Sequence, residues 1–278
     1  MADIKFSIRE GMVPGRNVME RFELLAQVGV AGCEITNSTS WEDVEAVKAA
    51  AAATGVQPNI WSAQKLGVLQ ADAGARREAI ASCQEALKMA GQVGAVGFIL
   101  PPLIICKMQN LPRVNDLSPL MSTAEAERKL LAAIMKQDLA PVAREAGAEV
   151  VIEPLNRYEQ WWPCSLQDGI DICADADNPL TEGASGVCIM ADFFHMNIED
   201  ASYYESIKAG GALIKNVHLA DSQRLLPGWG HTDFRPGFTA LKEIGYSHYL
   251  GFECGIPGDF SECVSKSMDY CRKVWDEV

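Results

Sequence analysis

The stretch EVVIEPLNRYEQWW (149–162) places Glu153 at the end of a short apolar run and follows it with a polar, aromatic-rich loop. Three later runs have the same form: VCIMAD (187–192), IKNVHL (214–219) and YLGFE (249–253). Short apolar runs bounded by loop residues are typical of buried β-strands. Each run therefore predicts a strand with an ionisable residue at or near its carboxyl end.

Four similar runs precede this region: IKFSIR (4–9), AGCEI (31–35), VQPNIW (56–61) and AVGFIL (95–100). Segments with helical spacing lie between the runs, and strands that alternate with helices predict parallel β–α units. Eight such units in 278 residues match the size of a TIM barrel. We therefore predict an α/β protein that forms a single (β/α)8 TIM barrel over residues 1–278. An open doubly wound sheet is the alternative, but no glycine-rich phosphate-binding motif follows any of the strands.

Glycine and proline mark where the helices end. We expect helix-terminating glycines in the left-handed conformation, which turns the chain back into the sheet, at Gly29, Gly55, Gly94, Gly147 and Gly245. Pro141 lies inside ERKLLAAIMKQDLAPVAREAG, a segment with helical spacing. Because proline cannot donate a backbone hydrogen bond, we expect it to kink or split that helix.

Composition excludes several classes of protein. The chain has 24 Lys and Arg against 37 Asp and Glu, a formal net charge of −13, so neither nucleic acid nor a membrane surface is an expected partner. The most apolar stretch, GAVGFILPPLIIC (94–106), is too short to span a bilayer, and the beginning of the sequence has no apolar leader. Nine scattered cysteines without a CxxC pair predict reduced thiols in a cytoplasmic protein.

Four ionisable residues end four consecutive predicted strands: Glu153, Asp192, His218 and Glu253. The carboxyl ends of parallel barrel strands lie side by side on the face where active sites form, so we expect these side chains to converge. Three carboxylates and an imidazole suit a divalent cation such as Mn²⁺, Mg²⁺ or Co²⁺. Without a cation the carboxylates would repel one another. The alternative is four unrelated polar residues at strand ends.

The loops after these strands carry a family resemblance. The stretches VVIEPLNRYEQWW, MADFFHMNIED, NVHLADSQRLLPGWGHTDF and YLGFEC together resemble the sugar isomerase and 3-epimerase barrels related to xylose isomerase. The likeness is greatest to D-tagatose 3-epimerase and 5-keto-L-gluconate epimerase. It extends from about residue 149 to 254, whereas the first 140 residues share only the barrel pattern.

The resemblance implies a ligand set and a set of roles. It implies that one divalent cation, Mn²⁺ before Co²⁺ or Mg²⁺, is bound by Glu153, Asp192, His218 and Glu253. It also implies that Glu153 and Glu253 form the acid–base pair, and that substrate oxygens are held by Glu159, His195 and Arg224. His231 and Asp233 match the keto-acid epimerase rather than the simple ketose epimerases.

These features together predict a metal-dependent epimerase or isomerase of a keto sugar or keto sugar acid. Two carboxylates on opposite sides of a planar, metal-stabilised enediolate could remove a proton and return one. A phosphosugar enzyme, with Arg224 and Arg235 near the phosphate, is one alternative. A lyase or hydratase acting on 3-keto glycosides is another, and a non-catalytic sugar-binding protein is a third. We expect a small-molecule sugar substrate and a homo-oligomer, either a dimer or a tetramer.

Overall fold

The computed structural model describes residues 4–36, 43–176 and 186–278, and in it eight parallel strands close into a barrel. Each strand pairs with the next along the chain, and the last pairs with the first. The strands are β1 (Lys5–Arg9), β2 (Gly32–Ile35), β3 (Gln57–Trp61), β4 (Gly97–Leu100), β5 (Glu149–Ile152), β6 (Val187–Asp192), β7 (Ile214–Leu219) and β8 (Tyr249–Phe252). The predicted (β/α)8 TIM barrel is confirmed, and each strand lies within two residues of its predicted bounds.

Helices cover the outside of the barrel and return the chain from one strand to the next. They are α1 (Val18–Val28), α2 (Val44–Thr54), α3 (Ala73–Val93), α4 (Ile104–Met108), α5 (Thr123–Ile134), α6 (Ala140–Ala146), α7 (Leu166–Asp175), α8 (Phe193–Glu199), α9 (Tyr203–Gly210), α10 (Arg235–Glu243) and α11 (Phe260–Asp276). Within the described ranges, no helix combines the length and apolar character that a membrane crossing requires.

The helix ends follow the glycine and proline signals. All five predicted glycines have φ between 68° and 81°, the left-handed region that a residue without a Cβ adopts at little cost. The segment around Pro141 is interrupted as expected, because a π-helical turn over Met135–Leu139 separates α5 from α6. The wider turn begins where the regular hydrogen-bond ladder has to give way to a residue without an N–H.

Side chains alternate between the barrel interior and the helix layer along each strand. In β6, Cys188 and Met190 pack inside the barrel against Ile60 and Val151. Asp192 continues this alternation, and its side chain therefore faces the interior at the carboxyl end of the strand. Because the strands are parallel, the carboxyl ends of β5, β7 and β8 lie at the same open face of the barrel as Asp192.

Gly251 in β8 permits a close approach inside the barrel. A Cβ at this position would lie 3.0 Å from Ser7 Oγ, 3.1 Å from Glu34 Oε1 and 3.2 Å from His218 Cδ2. These distances are shorter than ordinary carbon contacts, so a larger residue would push the neighbouring groups apart. The absent side chain leaves room for Glu34 and His218 to meet across the barrel.

Candidate active site

The four residues predicted from the strand ends converge at the open face of the barrel. His218 Nδ1 lies 3.7 Å from Glu153 Oε1, 3.5 Å from Asp192 Oδ2 and 3.2 Å from Glu253 Oε2. Glu153, Asp192 and His218 are each less than 10% exposed. The convergence predicted for these side chains is thus confirmed, while their role as metal ligands remains a prediction.

Glu34 fixes the orientation of the His218 ring. His218 Nε2 lies 2.9 and 3.0 Å from the two carboxylate oxygens of Glu34, and Asn216 Nδ2 donates to Glu34 Oε1 at 3.1 Å. A carboxylate only accepts hydrogen bonds, so Nε2 carries the hydrogen and Nδ1 is left for the site. Glu34 is fully buried at the end of β2.

Charge within this cluster is strongly coupled. Burial lowers the pKa of His218, but Glu34, together with Asp192 and Glu153, raises it more, and the pKa lies well above the ordinary histidine value. Burial likewise raises the pKa of Asp192, yet the neighbouring His195 and His218 lower it further, below its usual value. The carboxylates around His218 thus favour positive charge at the place where a cation could lie.

His195 carries its ring hydrogen on Nε2, as His218 does, but it presents that nitrogen to the site whereas His218 presents Nδ1. His195 Nδ1 accepts from the backbone N–H of Asn156 at 3.2 Å, and the Asn156 side-chain Nδ2 lies 2.8 Å away. Because a backbone N–H can only donate, the ring hydrogen of neutral His195 is on Nε2. This buried Nε2 has no hydrogen-bond partner among the described residues and lies 3.7 Å from Asp192 Oδ2.

Geometry alone would also permit His195 as a ligand. Glu153, Asp192, His195 and Glu253 each offer an atom that lies within 4.8 Å of the others. The two histidines differ, however, in the ring nitrogen that faces the site, and a metal ligand must offer a lone pair there. His218 offers one at Nδ1, whereas His195 presents an N–H donor.

One carboxylate oxygen of Asp192 caps a helix, and the other faces the candidate metal site. Oδ1 caps α8 by accepting from Phe194 N at 2.7 Å and His195 N at 3.3 Å. Oδ2 faces His218 Nδ1. This cap explains why the short sequence DFFH places both Asp192 and His195 at the same site.

Arg224 contacts both Glu159, which is a predicted substrate-binding residue, and Glu253, which is a predicted metal ligand. Its Nη1 donates to Glu159 Oε1 at 2.9 Å and its Nη2 donates to Glu253 Oε2 at 3.2 Å. The guanidinium lies over the Phe194 ring, with its carbon 4.6 Å from the ring centre. Asn156 Nδ2 donates to Glu159 as well, at 2.9 Å, and so connects this network to His195.

Asp221 holds the loop that carries Arg224. Its carboxylate accepts from the backbone N–H groups of Ser222 at 2.8 Å, Gly228 at 2.9 Å and Thr232 at 2.9 Å. Burial raises the pKa of Asp221, but these donors lower it further, below the ordinary value. Arg224 itself has φ of 58°, a strained conformation for a residue with a side chain, which the loop must impose.

Arg9, at the end of β1, forms an ion pair with Glu253 Oε1, so both oxygens of Glu253 contact a guanidinium.

Sequence reasoning did not identify Arg9, Glu34, Asn156 or Asp221. The signal available for Glu34 was its position near the end of AGCEI (31–35), the same position that the predicted ligands occupy in their own strands.

The cavity above these residues has a volume of about 480 Å³. Its polar lining includes Glu153, Glu159 and Arg224. Its apolar lining consists of Ala63, Leu66, Ile99, Pro101, Ile104 and Leu155. This combination of apolar surface with a few convergent polar groups is typical of a small-molecule site.

His231, Asp233 and Arg235 are not among the residues that line this cavity. Asp233 pairs instead with Arg235, at 2.8 Å, and both side chains are more than half exposed. Of the two arginines suggested for binding a phosphate, only Arg224 therefore reaches the site.

The donor set fits a divalent cation. Glu153 Oε1 and His218 Nδ1 are buried and have no hydrogen-bond partner in the described part of the chain. Unpaired buried polar atoms of this kind are costly unless another group binds them. Three carboxylates with one imidazole nitrogen match the preferences of hard or borderline ions, so the residues present fit the predicted metal.

The fold and site place the chain in a known class. Residues 22–274 match the sequence profile of the xylose isomerase-like TIM barrel family, and the chain belongs to that family. Several relatives of the chain are named sugar epimerases, a class of isomerase.

Individual relatives differ in how much of the chain they match. A 3-dehydro-D-guloside 4-epimerase from Escherichia coli K12 is 29% identical over 85% of this chain and 87% of its own. A D-psicose 3-epimerase from Ruminiclostridium cellulolyticum is 32% identical, but over 40% of this chain and 36% of its own. The crystal structure of the 3-keto-D-glucoside 4-epimerase from E. coli superposes with a TM-score of 0.83 at 25% identity, covering 98% of this chain and all of that one.

Proposed function

We propose that this protein epimerises an uncharged keto sugar, free or glycosidic, by proton transfer between the substrate and the Glu153 and Glu253 carboxylates. The observation that carries the proposal is the convergence of Glu153, Asp192 and Glu253 on the unpartnered Nδ1 of His218, beneath a cavity large enough for a sugar. Simple sugar binding would need no such cluster of buried carboxylates, whose assembly is costly.

The proposed metal ligands are Glu153, Asp192, His218 and Glu253, with Mn²⁺ as the first choice and Co²⁺ or Mg²⁺ as alternatives. A divalent cation bound there would supply Lewis-acid stabilisation for the negative charge that develops on the carbonyl oxygen. Neutral His195 would donate its Nε2–H to a substrate oxygen. Arg224 would donate to another, and Glu159 would accept from a hydroxyl.

The chemical step is the inversion of one carbon beside a ketone. One glutamate removes the proton from that carbon, and the electron pair of the broken C–H bond moves toward the carbonyl oxygen. The other glutamate then delivers a proton to the opposite face, which restores the ketone with the inverted configuration. Glu153 follows β5 and Glu253 follows β8, so the two carboxylates approach the cavity from different sides of the barrel.

Charge favours an uncharged substrate over a keto acid or a phosphosugar. Arg9 pairs with Glu253, and Arg224 pairs with both Glu159 and Glu253. Among the described residues that line the cavity, no cation lies without a carboxylate partner. An anionic group would therefore have to compete with these carboxylates for its contacts.

The names of the relatives support the same choice. The 3-dehydro-D-guloside 4-epimerase, which matches 85% of this chain, is named for a keto glycoside, and two further relatives are named for the ketoses D-psicose and L-ribulose. All of these are uncharged sugars with a ketone.

The test is a screen of ketoses, 3-keto glycosides, ketouronates and sugar phosphates with Mn²⁺ in D₂O, followed by NMR. We expect an uncharged keto sugar to be epimerised with deuterium at the inverted carbon, and chelation to abolish the reaction. A cleaved or unsaturated product would instead identify a lyase, and binding without any exchange would identify a non-catalytic protein. Either of these outcomes would contradict the proposal.

A further inference from the structure

A second cavity opens directly off the candidate active site. It has a volume of about 540 Å³, and four of its lining residues also line the site cavity: Arg9, Thr36, Arg224 and Glu253. The residues that it adds are Gly11, Met12, Cys254 and Gly255. Glu253 therefore lies on the boundary, with the carboxylate cluster on one side and the second cavity on the other.

The two cavities together exceed what one sugar ring requires. Small-molecule sites begin at roughly 300 Å³, and the site cavity alone already measures about 480 Å³. A sugar placed over Glu153 and Glu253 would fill the first cavity, and any substituent directed past Glu253 would enter the second. The second cavity thus has space for a part of the substrate that does not react.

The surface of the second cavity is mixed in character. Met12 and Cys254 provide sulfur and apolar surface. Thr36 provides a hydroxyl, which accepts from Gly11 N at 3.1 Å. Hydroxyl and apolar surface side by side suit a ligand that has both C–H faces and hydroxyl groups.

The ion pairs at the second cavity make an anionic ligand unfavourable there. Arg9 and Arg224 are the cations shared by the two cavities, and both contact Glu253. A carboxylate or phosphate in the second cavity would have to break these ion pairs. A neutral, hydroxylated group would not.

We propose that the second cavity binds the uncharged, hydroxylated aglycone of a keto glycoside, and that the preferred substrate is a glycoside rather than a free ketose. This inference rests on the proposed function, which would supply the reacting ring in the adjoining cavity. Contacts to the aglycone would hold that ring over Glu153 and Glu253, and binding energy from a remote group can in this way raise the rate at the reacting centre.

Gly11 lines the second cavity, and its backbone has room for the first atom of a side chain. Among the residues that the structure describes, a Cβ at Gly11 would meet only Thr36 Oγ1, at 3.5 Å, which is an ordinary contact. Gly255 is less suitable, because a Cβ there would lie 2.8 Å from Leu225 Cδ2. We therefore choose Gly11→Leu as the test variant. Ala52→Leu on the exposed surface of α2 is the control for added bulk.

The experiment compares methyl 3-keto-β-glucoside with 3-keto-cellobiose, oxidised in its non-reducing ring. The reacting ring is the same in both compounds, and only the aglycone differs. We expect the wild-type protein to prefer the disaccharide in kcat/KM by about tenfold or more, because removing favourable contacts commonly costs that much. Gly11→Leu should abolish the preference, and Ala52→Leu should retain it. Equal kcat/KM for both compounds in the wild type, or an equal loss for both in Gly11→Leu, would overturn the inference.

A binding measurement keeps this inference separate from the proposed function. Saturation-transfer NMR with cellobiose, which has no ketone beside the carbon that would be inverted and so cannot be epimerised, should detect contacts to both rings in the wild type. Contacts to the reducing-end ring should disappear in Gly11→Leu. Deuterium exchange into a free ketose but into neither keto glycoside would refute the glycoside preference and leave the proposed function standing, whereas exchange into no keto sugar of the screen would refute the proposed function. Unchanged cellobiose contacts in a folded Gly11→Leu would refute the second cavity as the aglycone site.

Discussion

His218 and Glu34 form a hydrogen-bonded pair inside the barrel, with His218 Nε2 at 2.9 and 3.0 Å from the two Glu34 oxygens. The pair fixes which ring nitrogen of His218 is free, and that nitrogen faces Glu153, Asp192 and Glu253. A carboxylate behind a metal-binding histidine commonly orients the ring and increases its basicity. Several consequences of this arrangement can be measured.

Glu34→Gln should weaken metal binding by about 10- to 100-fold, because the amide keeps an acceptor for Nε2 but loses the negative charge. Mn²⁺ affinity, measured by calorimetry, tests this expectation. Glu149→Gln is the matched control, since Glu149 is a buried carboxylate of the same barrel that pairs with Lys215 instead. Equal Mn²⁺ affinities in wild type and Glu34→Gln would show that the pair does not act on the metal site.

The two histidines should separate metal binding from turnover. His218→Gln should lose the bound metal, because the Nδ1 lone pair is removed. His195→Gln should retain one metal per chain and lower kcat/KM by about 10- to 100-fold, as expected when one hydrogen bond to developing charge is lost. Metal analysis alongside kinetics distinguishes the two variants. Loss of metal in His195→Gln, with metal retained in His218→Gln, would reverse the assignment.

Arg224→Ala should lower kcat/KM by about tenfold or more while the metal remains bound, because the guanidinium contacts Glu159 and Glu253 without itself being a metal ligand. Arg235→Ala, which removes an exposed arginine paired with Asp233, is the control and should leave the kinetics unchanged. If the two substitutions had the same small effect, Arg224 would have no role in holding the substrate.

Asp221→Asn should lower the free energy of unfolding by about 1–3 kcal/mol at pH 7, since several backbone donors would face a neutral amide. The folded-state pKa of Asp221 lies below its ordinary value. The stabilisation is therefore complete above the unfolded-state pKa of about 3.9, and is lost as the pH falls through the folded-state pKa. Denaturant unfolding of both proteins should give a difference that is constant from about pH 6 to 8 and decreases below about pH 4. A difference independent of pH over this whole range would contradict the expectation.

The sequence was sufficient to predict the barrel and the central residues for a physical reason. Strands of a parallel barrel end on one face, so Glu153, Asp192, His218 and Glu253 had to converge once their strands were recognised. The alternation of apolar runs and helical segments, with glycines such as Gly147 at the turns, carried the rest of that prediction. These signals are local and need no knowledge of partners.

The supporting residues could not be predicted in the same way. Glu34 lies 184 residues from His218 in the sequence, and Arg9 reaches Glu253 only because β1 closes the barrel against β8. Such contacts depend on register and on side-chain orientation, which have no local sequence pattern. Which ring nitrogen faces the site depends likewise on Asn156 for His195 and on Glu34 for His218, and so on the folded structure.

The central claim is that Glu153 and Glu253 exchange protons on opposite faces of one carbon. The most direct test follows solvent deuterium into substrate and product with Glu253→Gln and Glu153→Gln, each confirmed to contain Mn²⁺. We predict that neither variant epimerises, and that each exchanges deuterium into only one epimer, the opposite one in the two variants. Undiminished epimerisation by metal-loaded Glu253→Gln or Glu153→Gln would contradict the account.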